Sequence, residues 1–170
     1  MESILTEDFD EVFSIMEESF PKDEYRSREN QKALLSVPEY HLYCKRIDDK
    51  IAGLLAFWDL GEVIFIEHFA VKKELRNKGL GKEMLGELLT EKKAIFCLEV
   101  ELPQNETARR RIAFYERMGF HFHNFPYVQP SMDQGREPIP LRIMTNSPFL
   151  SKDEFEKLRD LLYKKIYKVA

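Results

Sequence analysis

A strand, a basic glycine-containing turn and a helix follow one another across residues 62–89, and this order restricts the fold more than any other stretch. The apolar run Val63-Ile64-Phe65-Ile66-Glu67-His68-Phe69-Ala70-Val71 leads to Arg76-Asn77-Lys78-Gly79-Leu80-Gly81-Lys82. Lys82-Glu83-Met84-Leu85 then opens an amphipathic helix, and a second strand-like run covers Ile95–Leu102. Strand, helix, strand in this order implies a parallel pair inside a mixed sheet. Glycines let the backbone aim several N–H groups at one point, and the helix N-terminus adds positive potential there. Arg76, Lys78 and Lys82 contribute full charges. Together these residues describe a socket for a phosphorylated ligand, with pyrophosphate as the best match.

Spacing narrows the ligand. A Walker A loop requires a Gly five residues before the Gly of its Gly-Lys pair and a Ser or Thr after the pair. Here Arg76 occupies the first position and Glu83 the last. A dinucleotide fingerprint requires a third Gly three residues after Gly81, where this chain has Met84. The remaining pattern, Arg-x-x-Gly-x-Gly, resembles the acetyl-CoA pyrophosphate loop of the GCN5-related N-acetyltransferase (GNAT) family. A second match follows at the right distance: Tyr115-Glu116-Arg117-Met118-Gly119-Phe120 is similar to the Tyr-x-x-x-Gly-Phe pattern that closes the family's next helix. The resemblance covers residues 1–145, with its specific motifs inside 62–120.

That resemblance implies an α/β (α+β) fold: a mixed, mostly antiparallel sheet with a splayed central pair of parallel strands, flanked by helices. It implies acetyl-CoA as cosubstrate. The loop Arg76, Asn77, Lys78, Gly79, Leu80, Gly81 and Lys82 would hold its pyrophosphate, and the edge of Phe69, Ala70 and Val71 would pair with the pantetheine arm. Backbone groups of Phe69 and Val71 are the ones expected to be open. Many members carry an Asn seven residues before the Tyr; here that position is Ala108, and Asn105 lies three residues earlier.

The rest of the chain reads consistently with one domain, a core of 1–145 and a C-terminal helical extension of 146–170. Its 170 residues are 44% hydrophobic, enough for a substantial core. Helical spacing of Phe9, Val12, Phe13, Ile15 and Met16 predicts a helix over 7–20, and a second is expected around Arg28–Leu35. Residues 40–48 and 50–59 read as a hairpin, Asn105–Met118 as a helix with Gly119 just past its end, and 120–128 and 141–145 as late strands. Ser151-Lys152-Asp153-Glu154 has the spacing of a capping box at the start of a helix over 151–168. The apolar stripe of that helix packs on its own domain or on a second copy in a homodimer.

Charge, cysteines and hydropathy exclude other classes. A net charge of −4 argues against general nucleic-acid binding. Cys44 and Cys97 show no metal-ligand spacing, and a reduced cytoplasmic protein is the simplest reading. No basic, apolar leader opens the chain, and no apolar run approaches the roughly 20 residues of a membrane span.

Acetyl transfer to an amine needs a base for the amine and a proton for the departing thiolate. Glu99 and Glu101 alternate onto one face of a strand that should be covered on both sides, where a carboxylate's pKa rises toward that of a base. The alternative for Glu99 is an ion pair with Arg109, Arg110 or Arg111. In a regular strand Glu67 shares a face with Phe69 and Val71 and could act through water, or else bond to a neighbouring strand or Lys. Tyr115 is the candidate acid, with core packing as its alternative. Trp58 and Tyr127 read as core or rim residues, His68 as packed, and the 129–140 link as a border of the acceptor site or a plain loop. The expected function is transfer from acetyl-CoA to a primary amine of a small molecule or peptide, without metal. The alternative is a non-catalytic CoA-binding sensor or scaffold.

Overall fold

Apolar runs over 40–71, alternating in the first and continuous in the second, build three successive antiparallel strands, and the rest of the sheet grows from the third. A computed structural model describes residues 1–169. Its elements are β1 (Glu2–Ser3), α1 (Phe9–Ser19), α2 (Arg28–Ala33), β2 (Tyr40–Ile47), β3 (Lys50–Asp59), β4 (Val63–Val71), α3 (Leu80–Glu91), β5 (Ile95–Val100), α4 (Glu106–Arg117), β6 (His121–Gln129), β7 (Ile139–Thr145) and α5 (Lys152–Leu162). One seven-stranded sheet runs in the order β1-β2-β3-β4-β5-β7-β6. All neighbours are antiparallel except β4 and β5, the pair linked through α3.

Helices cover both faces. Leu80, Met84, Leu85 and Leu88 of α3 and Ile112 and Tyr115 of α4 pack on one face with Ile64, Ile66, Phe96 and Leu98. Phe9, Val12, Phe13, Ile15 and Met16 of α1, with Phe155, Leu158 and Leu162 of α5, cover the other. The C-terminal stripe is therefore used within its own chain. Ser151 and Glu154 form the expected capping box, and Gly119 ends α4 with φ +91°. Two boundaries differ from the periodicity. The second helix stops at Ala33 and continues as a 3₁₀ turn over Leu34–Ser36. The last helix changes at Leu162 into a π turn over Tyr163–Tyr167.

The central pair parts early. Residues 63–66 of β4 pair with 95–98 of β5, ending at Ile66 and Leu98. Beyond them β5 keeps β7 as partner and β4 keeps β3. Lys72 N donates to Ala52 O at 2.8 Å, so by alternation Phe69 and Val71 direct their N–H and C=O groups away from β3, into the gap. A β-bulge lies at the parting: Phe57 opposes Ile66 and Ala56 opposes His68, leaving Glu67 unpaired as the extra residue.

Close approach of α3 to the sheet requires one glycine. A Cβ on Gly53 would lie 2.8 Å from Ala70 O and 2.9 Å from Met84 Sδ. We expect Gly53→Ala to lower stability by about 1–3 kcal/mol, the usual cost of overpacking, measured by urea denaturation.

Candidate active site

The glycine turn leaves its backbone donors open. Asn77 has φ +61° and Gly79 φ +84°, left-handed values that swing the chain abruptly into α3. Gly79 is the N-cap and offers no side chain, and the first intrahelical bond is from Glu83 N to Gly79 O at 3.0 Å. The N–H groups of Leu80, Gly81 and Lys82 thus precede any intrahelical acceptor, as in every helix start, and no side chain caps them. Arg76, Asn77, Lys78, Gly79 and Lys82 are exposed around them. A Cβ on Gly81 would meet only ordinary contacts, 3.4 Å from Phe69 at the nearest. Open donors, a positive rim and unpaired strand backbone fit a ligand with a pyrophosphate and an amide-bearing arm.

One expected open group is engaged. Arg76 Nε donates to Val71 O at 2.9 Å, because the 3₁₀ turn over Lys73–Leu75 folds Arg76 back against the strand end. Asn105 is the N-cap of α4, and its Oδ1 accepts from Ala108 N at 2.8 Å.

Glu67, Glu99 and Tyr115 line one cavity at the parted strands, with Glu24, Phe20, Phe69, Glu101, Arg111, Gln129 and Met132. The 129–140 link therefore borders this cavity through its first residues. Expectations for Glu67 need correction. The bulge breaks alternation, so Phe69 and Val71 pack toward α3 and α4, whereas Glu67 turns to Arg26. Arg26 Nη1 and Nη2 donate to its two oxygens at 3.0 and 2.9 Å, and both side chains are buried. Burial pushes the Glu67 carboxyl up, but the Arg26 guanidinium and His68 outweigh it and hold it below the usual range. His68 is buried, with Nε2 2.7 Å from Glu24 O, and burial lowers its pKa; it is packed, as expected.

Glu99 is the opposite case. Among the described residues it pairs with no arginine: Arg110 binds Glu106 at 2.8 Å and Arg111 lies 3.9 Å from Glu101. Instead Tyr127 Oη donates to Glu99 Oε1, and Tyr167 Oη sits 2.7 Å from Oε1 and 2.9 Å from Oε2. Burial pushes the Glu99 carboxyl up to about 7, against the two hydroxyl bonds that lower it. Glu24 also rises to about 7, through burial and then the Glu101 charge. Glu101 itself lies just past the end of β5. Burial raises Tyr115 to about 12, so its hydroxyl holds its proton at neutral pH. Cys97 is buried, and burial followed by the Glu99 charge pushes its thiol up, which removes a thiolate from consideration.

Sequence reasoning missed Arg26, Glu24 and Tyr167, and it took Tyr127 for a packing residue. Only the Tyr163, Tyr167 spacing hinted that two hydroxyls share a helix face. Among the described residues no group of His, Cys, Asp or Glu is placed to hold a metal, and no helix is long and apolar enough to cross a membrane.

The raised carboxyl makes stability depend on pH. Glu99 prefers to be protonated in the folded state, so its contribution is present below pH 4.5 and lost as pH rises through about 7. Glu99→Gln lacks this loss. Its stability relative to wild type should rise by about 3 kcal/mol between pH 4 and pH 8 in urea titrations.

Comparison with known proteins matches this geometry. The Acetyltransferase (GNAT) family model matches residues 4–120. The chain is 31% identical over 142 residues to YjbC of Bacillus subtilis (strain 168), covering 82% of this chain and 71% of that protein. A GNAT-family structure from Bacteroides thetaiotaomicron shares 33% identity and superposes with a TM-score of 0.90, covering 99% of this chain and 98% of that one. The structure of yncA from Salmonella typhimurium, which holds acetyl-CoA, shares the fold at a TM-score of 0.63 and 16% identity, covering 88% and 94% of the two chains. Parted strands, uncapped glycine turn and family match agree: this chain belongs to the GNAT acetyltransferase family.

Proposed function

We propose that this protein is an N-acetyltransferase that passes the acetyl group of acetyl-CoA directly to a primary amine of a small molecule or peptide. The observation that carries this reading is the convergence of Glu99 and Tyr115 on one cavity at the strand gap. Acetyl-CoA bound along the turn and the gap supplies a thioester carbon open to attack by nitrogen. Backbone N–H groups of the 77–82 turn, with Arg76, Lys78 and Lys82, would carry the pyrophosphate. Phe69, Ala70 and Val71 would line the pantetheine arm, with Asn105 offering its Nδ2.

Glu99 is the base in this scheme. A carboxyl near 7 is partly ionised at neutral pH and still basic enough to accept a proton from an ammonium group. As the C–N bond forms and the C–S bond breaks, Tyr115 gives its proton to the sulfur, and the second proton leaving the nitrogen restores the Tyr115 hydroxyl. Glu67 is assigned to holding Arg26, since a carboxylate with both oxygens engaged and a lowered pKa makes a poor base. Glu24 and Glu101 at the same cavity favour a cationic acceptor. Burial of Cys97, whose thiol is pushed up by desolvation and then by the Glu99 charge, supports direct transfer rather than a thiol-bound acyl group. The two unpaired, buried cysteines also support a reducing, cytoplasmic setting.

Two measurements test the scheme. Calorimetric titration should show saturable acetyl-CoA binding by wild type and none by Gly81→Glu, whose carboxylate would face the phosphates while its Cβ fits without clash. Absence of binding by folded wild-type protein would remove the cofactor assignment. With an acceptor found from an amine panel, Tyr115→Phe should lower kcat by about 10²-fold or more; an unchanged kcat would exclude Tyr115 as the acid.

A further inference from the structure

Glu99 is held by residues that lie outside the segment matched to the family, residues 4–120. Its two hydroxyl donors come from β6 and from the end of the chain. Tyr167 reaches it because the last helix does not finish as an α-helix. Phe155, Leu158 and Leu162 seat α5 on the sheet, and the chain then widens into the π turn Tyr163–Tyr167. Tyr163 Oη donates to Val128 O at 2.5 Å, tying the turn to β6. Val169 N returns to Tyr163 O at 3.0 Å, past Lys168 at φ +57°. Ile166 and Tyr167 are both buried. Single π turns are rare and recur at functional sites. Here the turn delivers one hydroxyl to both oxygens of a single carboxylate.

Among the described residues no cation performs that task. The groups facing Glu99 are Tyr127 of β6, Tyr163 and Tyr167 of the turn, Cys97 of its own strand, Glu67 of β4 and Glu24. The nearby Arg26 is committed to Glu67 through both of its terminal nitrogens. A buried carboxylate with only neutral donors depends on them for the stability of its charged form.

We propose that Tyr167 is a positioning residue for acetyl transfer: with Tyr127 it fixes the Glu99 carboxylate at the cavity and favours its charged form. The C-terminal turn is thus part of the catalytic centre. This rests on the reading of Glu99 as the base. Tyr167→Phe keeps the ring and deletes the bond, so it should make Glu99 harder to ionise. The acid limb of the kcat/KM profile should then move to higher pH, with activity recovering once the pH exceeds the new midpoint.

The test is a ¹³C NMR titration of the full chain labelled at Glu Cδ, with the Glu99 signal assigned by its loss in Glu99→Gln. Tyr167→Phe should raise the Glu99 midpoint by about one pH unit, and kcat/KM for an accepted amine should fall about tenfold at pH 6 with little loss at pH 9. Thermal denaturation reports whether the variant is folded. If it is not, 3-fluorotyrosine at position 167, a stronger donor, should move the midpoint down. A Glu99 midpoint that stays put in a folded variant overturns the proposal. So does a shifted midpoint with an unshifted rate profile, because the turn would then hold Glu99 without serving the reaction. Failure of wild type to bind acetyl-CoA would instead overturn the functional reading; calorimetry detects that separately from the titration.

Discussion

The parting of β4 from β5 after Ile66 and Leu98 is the constraint on which the site depends. Two parallel strands that stay paired would seal their backbone groups against each other. Once they separate, N–H and C=O groups in the middle of a sheet need another partner, since polar backbone is costly to leave unsatisfied. The bulge at Glu67 sits at the point of separation and changes which face each following residue meets. The same gap lets the two faces of the sheet communicate. Tyr115 comes to it from the α4 side, whereas Tyr127 and Tyr167 come from the side covered by α1 and α5.

Two carboxylates of one cavity are driven apart by what surrounds them. Glu67 and Glu99 are both buried, and burial alone would raise both. Glu67 meets a bidentate guanidinium and stays charged. Glu99 meets only hydroxyls, which offset less of the desolvation cost, and it settles near neutrality. Different partners thus set a fixed anion beside a titratable carboxyl. Their strands are neighbours and their sequence contexts are similarly apolar, so the difference is made by Arg26, Tyr127 and Tyr167.

Local pattern was a good guide wherever a residue's neighbours in space are also its neighbours in sequence. The capping box at Ser151, the αL glycine at Gly119, the apolar stripe of α1 and the uncapped turn before α3 all follow from chemistry within one or two turns of chain. Strand alternation put Glu99 and Glu101 on one face for the same reason, and both line the cavity. It failed for Glu67, because a bulge inserts one residue and reverses the alternation that follows. Arg26 lay in a charged stretch with no periodicity, and nothing in its spacing pointed to a partner 41 residues away.

The sequence by itself determined the order of the main elements, the parallel crossover through α3 and the open, basic glycine turn at 76–82. These rest on short-range sterics, helix-end polarity and hydrophobic period, all written into contiguous residues. Tertiary structure alone decided the partners of Glu67 and Glu99, the orientation of the C-terminal stripe and the engagement of Val71 O by Arg76. Each of those depends on desolvation and on side chains brought together across the sheet. A carboxylate's charge is set by what surrounds it after folding, and residues 26, 127 and 167 meet strands β4 and β5 only when the chain has closed around them.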